Sequence, residues 1–137
     1  MKRVPYDVKK GMYLLLLREG GIAIEEFYRK AYFVTGRHRE IMLQAYIRNT
    51  KGIERDHNDI VRLNAEECPV WLQYAIFAKK NGAVKTTDIT RRFGHTYNKV
   101  YNETRRYPDI FSFTKVGGKN VYELKICNVG EKEADKL

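Results

Sequence analysis

The residues of this chain best suited by type and spacing to do chemistry lie between positions 95 and 125. In HTYNKVYNETRR, helical periodicity puts His95, Asn98, Lys99, Asn102, Arg105 and Arg106 on one stripe and Tyr97, Val100, Thr104 and Tyr107 on the buried one. In a major groove, an amide side chain can pair in bidentate fashion with adenine and a guanidinium with guanine, while an amine such as Lys99 meets phosphate. The plain alternative is a solvated polar face on a surface helix. The stretch that follows, YPDIFSFTKVGGKNVYELK, raises a second question, because it sets Asp109, Glu123 and Lys125 on or beside two strand-like runs.

Asp109, Glu123 and Lys125 resemble the signature of the PD-(D/E)xK nuclease family. That resemblance implies carboxylates that hold Mg²⁺ and a lysine that orients the attacking water. It also implies a helix and a further strand after the ExK strand, and only ICNVGEKEADKL follows Lys125. The same letters spell a β-hairpin, IFSFTKV and NVYELKI around a Gly117-Gly118 turn. On that reading Ile110, Phe111 or Phe113, Val121 and Leu124 face the core, and Glu123 and Lys125 point to water. The hairpin is the reading adopted, and the nuclease is the minor alternative.

The elements that must hold these groups repeat. An apolar helical pattern over 6–18 (Val8, Met12, Leu15, Leu16) meets a Gly20-Gly21 break, and IEEFYRKAYFV gives a second helix up to a Thr35-Gly36 turn. A third helix over 38–49 ends at Gly52 and leads into IERDHNDIVRL, read as two short strands around 56–59. After NAEECP comes a helix over 70–80 carrying Trp71, Leu72, Ala75 and Ile76, then an Asn81-Gly82 stop. Thr86 or Thr87 caps TDITRRF, Gly94 turns the chain, Thr96 opens TYNKVYNETRRY, and Pro108 closes it before the hairpin. Gly21 with Gly82, and Leu63 with Leu124, stand roughly 61 residues apart, so the halves read as two copies of one unit.

Three helices, a tight turn before the third, and a closing hairpin resemble the winged helix-turn-helix family over about residues 6–125. The implied fold is mainly α with short antiparallel β-hairpins (α+β). It comprises tandem winged-helix domains at 1–64 and 65–126, with a charged flexible tail at 127–137. The implied partner is double-stranded DNA. The stripe from His95 to Arg106 would read bases, Lys115 and Lys119 beside the wing tip would touch phosphate, and Arg91 and Arg92 would clamp the backbone. The first unit offers Arg37, Glu40, Gln44 and Arg48 on its third helix, with Ile41, Met42, Leu43, Ala45, Tyr46 and Ile47 filling the other faces. So wide an apolar surface suggests packing against the other unit or a second subunit, a homodimer.

Composition supports an anionic partner. The formal net charge is +9, and between Cys68 and Lys125 eleven Lys and Arg face four Asp and Glu. Cys68 and Cys127 lack paired spacing, and His38, His57 and His95 are scattered, so no metal, disulfide framework or nucleophile is expected. Neither glycine pair continues into a phosphate-binding loop, so neither cofactor nor small-molecule ligand is expected. MYLLLL is too short to span a membrane, and an intracellular, cytoplasmic or nucleoid-associated setting is expected. The expected function is a non-enzymatic, sequence-specific duplex-binding transcriptional regulator. A replication initiator, a target-recognition subunit of a mobile-element or restriction system, and a protein-interaction adaptor are the alternatives.

Overall fold

Val8, Met12, Leu15 and Leu16 recur at helical spacing, and with Tyr13 and Leu17 they form the buried side of α1 (Tyr6–Glu19). The helix stops at Gly20, whose φ of 76° suits a residue without Cβ and whose N–H donates to the Leu16 carbonyl. From there the first unit runs through β1 (Ile22–Ala23), α2 (Ile24–Val34), α3 (Glu40–Asn49), β2 (Ile53–Arg55) and β3 (Ile60–Leu63) to a single 3₁₀ turn, Ala65–Glu67. The second unit runs through α4 (Val70–Asn81), β4 (Val84–Lys85), α5 (Thr86–Phe93), α6 (Tyr97–Arg105), β5 (Phe111–Lys115) and β6 (Tyr122–Ile126). This computed structural model describes residues 3–82, 84–115 and 122–126. The expected Gly117-Gly118 tip, Lys119, Val121 and the tail at 127–137 lie outside the described residues.

The chain is therefore mixed α+β, with six α-helices and two small three-stranded antiparallel sheets among the described residues. Each sheet places its last strand in the middle, in the orders β1-β3-β2 and β4-β6-β5. The sequence pattern foretold the hairpins but not β1 and β4, because a two-residue strand has no periodicity to read. Register also corrects the matched positions. Ile22 pairs with Val61 and Val84 with Leu124, so Val61, not Leu63, occupies the place of Leu124. Likewise Gly20 (φ 76°), not Gly21, corresponds to Gly82 (φ 75°).

Each unit has its own core. In the first, Met12, Leu16, Phe27, Leu43 and Val61 are fully buried; in the second, Leu72, Tyr74, Ile89, Val100 and Leu124 are. Each such side chain contributes roughly 1.5–3 kcal/mol of apolar burial. Gly11 lets α1 approach the end of α2, since a Cβ there would lie 2.6 Å from the Val34 carbonyl oxygen. The β2–β3 turn is held by Asp56, whose carboxylate accepts from the N–H groups of Asn58 and Ile60 and from Arg62. Those bonds, the Ile60 one foremost, hold its pKa below the usual range.

The compact units divide between Pro69 and Val70. The 3₁₀ turn and Cys68, placed by the sequence reading at the head of the second unit, pack on the first. The Cys68 thiol donates to the carbonyls of Gly52 and Asn64, and burial pushes its pKa up to about 11. Among the described residues no helix is long and apolar enough to cross a membrane.

Candidate nucleic-acid interface

The second unit positions α6 through an aromatic face on α4. Trp71, Tyr74 and Phe77 recur every three residues, and none of these rings is exposed. Trp71 stacks on Tyr107 at 4.5 Å, Tyr74 meets Phe93 edge-on at 5.1 Å, and Phe77 meets Phe93 at 5.8 Å. These contacts fix the end of α5 before the turn and the chain just after α6. Gly94 makes the turn with φ 67°, and the Thr96 hydroxyl accepts from the Lys99 N–H at 3.2 Å, the helix cap expected from sequence. The cap of α5 falls one residue earlier than expected, at Lys85. There Asp88 accepts from the Lys85 N–H, while the Thr86 side chain is buried.

His95 departs from the sequence-derived stripe. It is half-buried, its Nδ1 shares a 2.6 Å hydrogen bond with the Tyr74 hydroxyl, and its ring stacks on Phe93 at 5.9 Å. Burial, then the Lys99 charge, lowers its pKa, with Glu103 opposing, while burial pushes Tyr74 up to about 12. Both shifts favour the uncharged forms of the pair. His95 ties the turn to α4, and its bonded nitrogen is not available to a ligand.

The rest of the stripe is brought together. Asn98, Lys99, Asn102, Arg105 and Arg106 are all exposed, with Val100 and Thr104 buried behind them. Tyr97 was expected on the buried side but is 44% exposed, and Tyr101 is 38% exposed. Tyr107 is half-buried against Trp71, as expected. Sequence reasoning missed the two outward tyrosines, although their four-residue spacing, continued by Arg105, was visible.

Arg91 and Arg92 are exposed on α5 and line an open groove of about 560 Å³ with Phe77, Asn81, Val84 and Asp88. Lys115 is exposed at the end of β5. Arg91, Arg92, Lys99, Arg105, Arg106 and Lys115 meet no carboxylate at ion-pair distance among the described residues. In the first unit Arg37, Arg39 and Arg48 likewise meet no carboxylate at ion-pair distance among the described residues, but other cations are paired. There Arg62 binds Asp56 at 2.9 Å, Arg55 binds Asp59 at 3.0 Å, Lys51 binds Glu67 at 3.4 Å, and Lys30 and Arg29 bind Glu19 and Glu26.

On α3 of the first unit, Gln44 and Arg48 are exposed as expected, but Gln44 is bonded to Glu40 at 3.3 Å. Leu43, Tyr46 and Ile47 are buried, whereas Ile41 is 76% exposed beside them. Arg37 is exposed in the turn before α3 with φ 64°, a left-handed conformation rare for a side chain of its size. Arg37→Gly is therefore expected to be neutral or up to about 1 kcal/mol more stable, and the β-branched Arg37→Val about 1–2 kcal/mol less stable. Urea midpoints in the opposite order would show that the turn is not left-handed.

The nuclease-like residues do not converge into a metal centre among the described residues. Asp109 is exposed in the segment before β5, Glu123 is half-buried on β6 and Lys125 is exposed two residues on. No group of three or more His, Cys, Asp or Glu side chains there is placed to hold a metal ion. Although β6 is a central strand, its described sheet is antiparallel throughout. No protein-family model matches the chain, and no curated protein or solved structure matches it either.

Proposed function

We propose that the chain is a sequence-specific DNA-binding protein, a transcriptional regulator, built of two winged-helix units and reading the duplex through α6. The observation that carries this reading is the set of exposed, carboxylate-free cations on α5, α6 and β5 surrounding two exposed amides on one helix face. Uncompensated cations held close together repel one another, and a polyanion relieves that repulsion. The repeated order helix, strand, helix, helix, hairpin, with the final strand central, supports the winged-helix assignment. For the first unit, the apolar side chain of Ile41, 76% exposed on α3, favours a protein partner, such as a second copy, over a base-reading role.

Selection of binding sites from random duplexes tests the reading. Asn102→Ala and Arg106→Ala should each cost about five- to a hundredfold at the preferred site and little at others. Lys99→Ala should weaken all duplexes alike. If the two helix variants retain full sequence preference while changes at Arg37, Gln44 or Arg48 abolish it, the reader is the first unit. If no duplex is bound at low salt, DNA is not the partner.

A further inference from the structure

Along the whole of α6, Tyr97, Tyr101 and Arg105 follow one another at four-residue intervals, so they line one stripe of the helix. The two rings are nearly parallel, 18° apart, with centroids at 6.2 Å. The Arg105 guanidinium lies 5.0 Å from the centroid of the Tyr101 ring and donates to the Tyr101 hydroxyl. The result is a ladder of three flat groups standing on the helix surface with its outer members in solvent. Helical side chains lean toward the N-terminus, so Tyr97 is the open end of the ladder, at the start of the helix.

Two aromatic rings at solvent positions, side by side, offer a flat apolar face suited to a partner that presents one of its own. The neighbouring stripe carries Asn98 and Asn102, followed by Lys99 and Arg106, and no acidic residue. Glu103, the acidic residue of α6, is half-buried and faces Tyr74 and His95, on which its charge acts. Charge complementarity therefore selects a polyanion whose own planar groups are accessible. A fully paired duplex hides its base planes in the stack and offers the ladder only edges and phosphates. An unpaired base offers a whole face.

We infer that the Tyr97–Tyr101–Arg105 ladder stacks an unpaired base, so that the preferred ligand is a duplex containing a bulge or a short single-stranded segment next to the site read by Asn98 and Asn102. The inference rests on the proposed DNA-binding function and narrows its ligand. Base stacking on aromatic side chains does not depend on which base is present, so the ladder adds affinity for a structure, and the amides add preference for a sequence.

The full chain is titrated with a blunt duplex and with the same duplex carrying a short bulge of unpaired adenines, one replaced by fluorescent 2-aminopurine. The wild type should bind the bulged form about tenfold more tightly and quench the probe. Tyr97→Leu should abolish the preference and the quench while leaving blunt-duplex affinity unchanged, Tyr101→Leu should also abolish both, and Tyr97→Phe and Tyr101→Phe should keep both. Equal wild-type affinity for the two ligands, or a preference that survives the leucine variants, overturns the stacking inference and leaves the duplex-binding function standing. Loss of preference in the phenylalanine variants assigns the effect to the hydroxyls and also overturns it. If neither ligand is bound, the DNA-binding function fails first. Should a leucine variant be unfolded, as judged by circular dichroism, the wild-type preference and quench still decide the matter.

Discussion

Raising the salt concentration from about 50 to 200 mM should lower the affinity of the chain for its preferred duplex about 500-fold. The figure follows from counterion release. Arg91, Arg92, Lys99, Arg105 and Lys115 are exposed and have no carboxylate partner among the described residues, leaving Arg106 to a base. About five phosphate contacts at roughly 0.9 ion each give a slope near −4.5 in log affinity against log salt. Anisotropy titrations over that range measure it. A slope shallower than about −2 would mean that the cations do not follow a phosphate backbone, and would favour the adaptor reading. Single alanine replacements at these cations should each reduce the slope by about 1, whereas Asn102→Ala should leave it unchanged.

Gly52→Ala should destabilise the first unit by about 3–5 kcal/mol, from backbone strain together with overpacking. Gly52 is buried with φ 97°, where any Cβ is strained, and that Cβ would lie 2.9 Å from the Cys68 sulfur and 3.1 Å from the Cys68 Cα. The neighbour cannot simply swing aside, because the Cys68 backbone is part of the obstruction. The Gly52 carbonyl also accepts from the Asn64 N–H at 2.8 Å, so a shift there would disturb the strand end. The one tryptophan, Trp71, lies in the second unit and gives a local signal. In urea, circular dichroism of the variant should show an early transition while the Trp71 midpoint holds. A Trp71 midpoint that falls equally would show that the two units unfold together. Gly20→Ala, with nothing within 4 Å of its Cβ, should cost only about 1–3 kcal/mol, for a backbone at φ 76° and ψ −133° that a side chain rarely adopts.

What could be read from sequence follows from what each signal measures. Helices with a buried stripe, such as α1 and α4, declare themselves within one or two residues, and Thr96 announced its cap by its hydroxyl. The β1 and β4 strands exist only because the last hairpin of each unit offers them an edge, a tertiary cause invisible in local pattern. Within α6 the periodicity placed Val100 and Thr104 correctly but put Tyr97 inside, since a tyrosine at a stripe edge reads as core whichever way it turns. His95 failed in the opposite direction. Helical periodicity put it on the outward polar stripe, and its partner Tyr74 stands twenty-one residues away, beyond any local window. The reading of Arg91, Arg92 and Lys115 as exposed cations needed only that short elements of alternating or helical character present their polar side to water.

The central position of the final strand in each sheet fixes an order of events during synthesis. Neither β1 nor β2 has a sheet partner until β3 has left the ribosome, and β4 and β5 wait in the same way for β6. The first unit can therefore close once Ile60–Leu63 and the segment to Pro69 have emerged, because every strand it needs is then present. At about 5–20 residues per second, the stretch from Val70 to Ile126, which completes β6, takes roughly 3 to 11 seconds more. During that interval a finished first unit leads a second one whose α6 exists but whose supporting sheet does not. The basic helix face thus becomes rigid later than the first unit, and a nascent chain carries its cations on a scaffold not yet able to aim them.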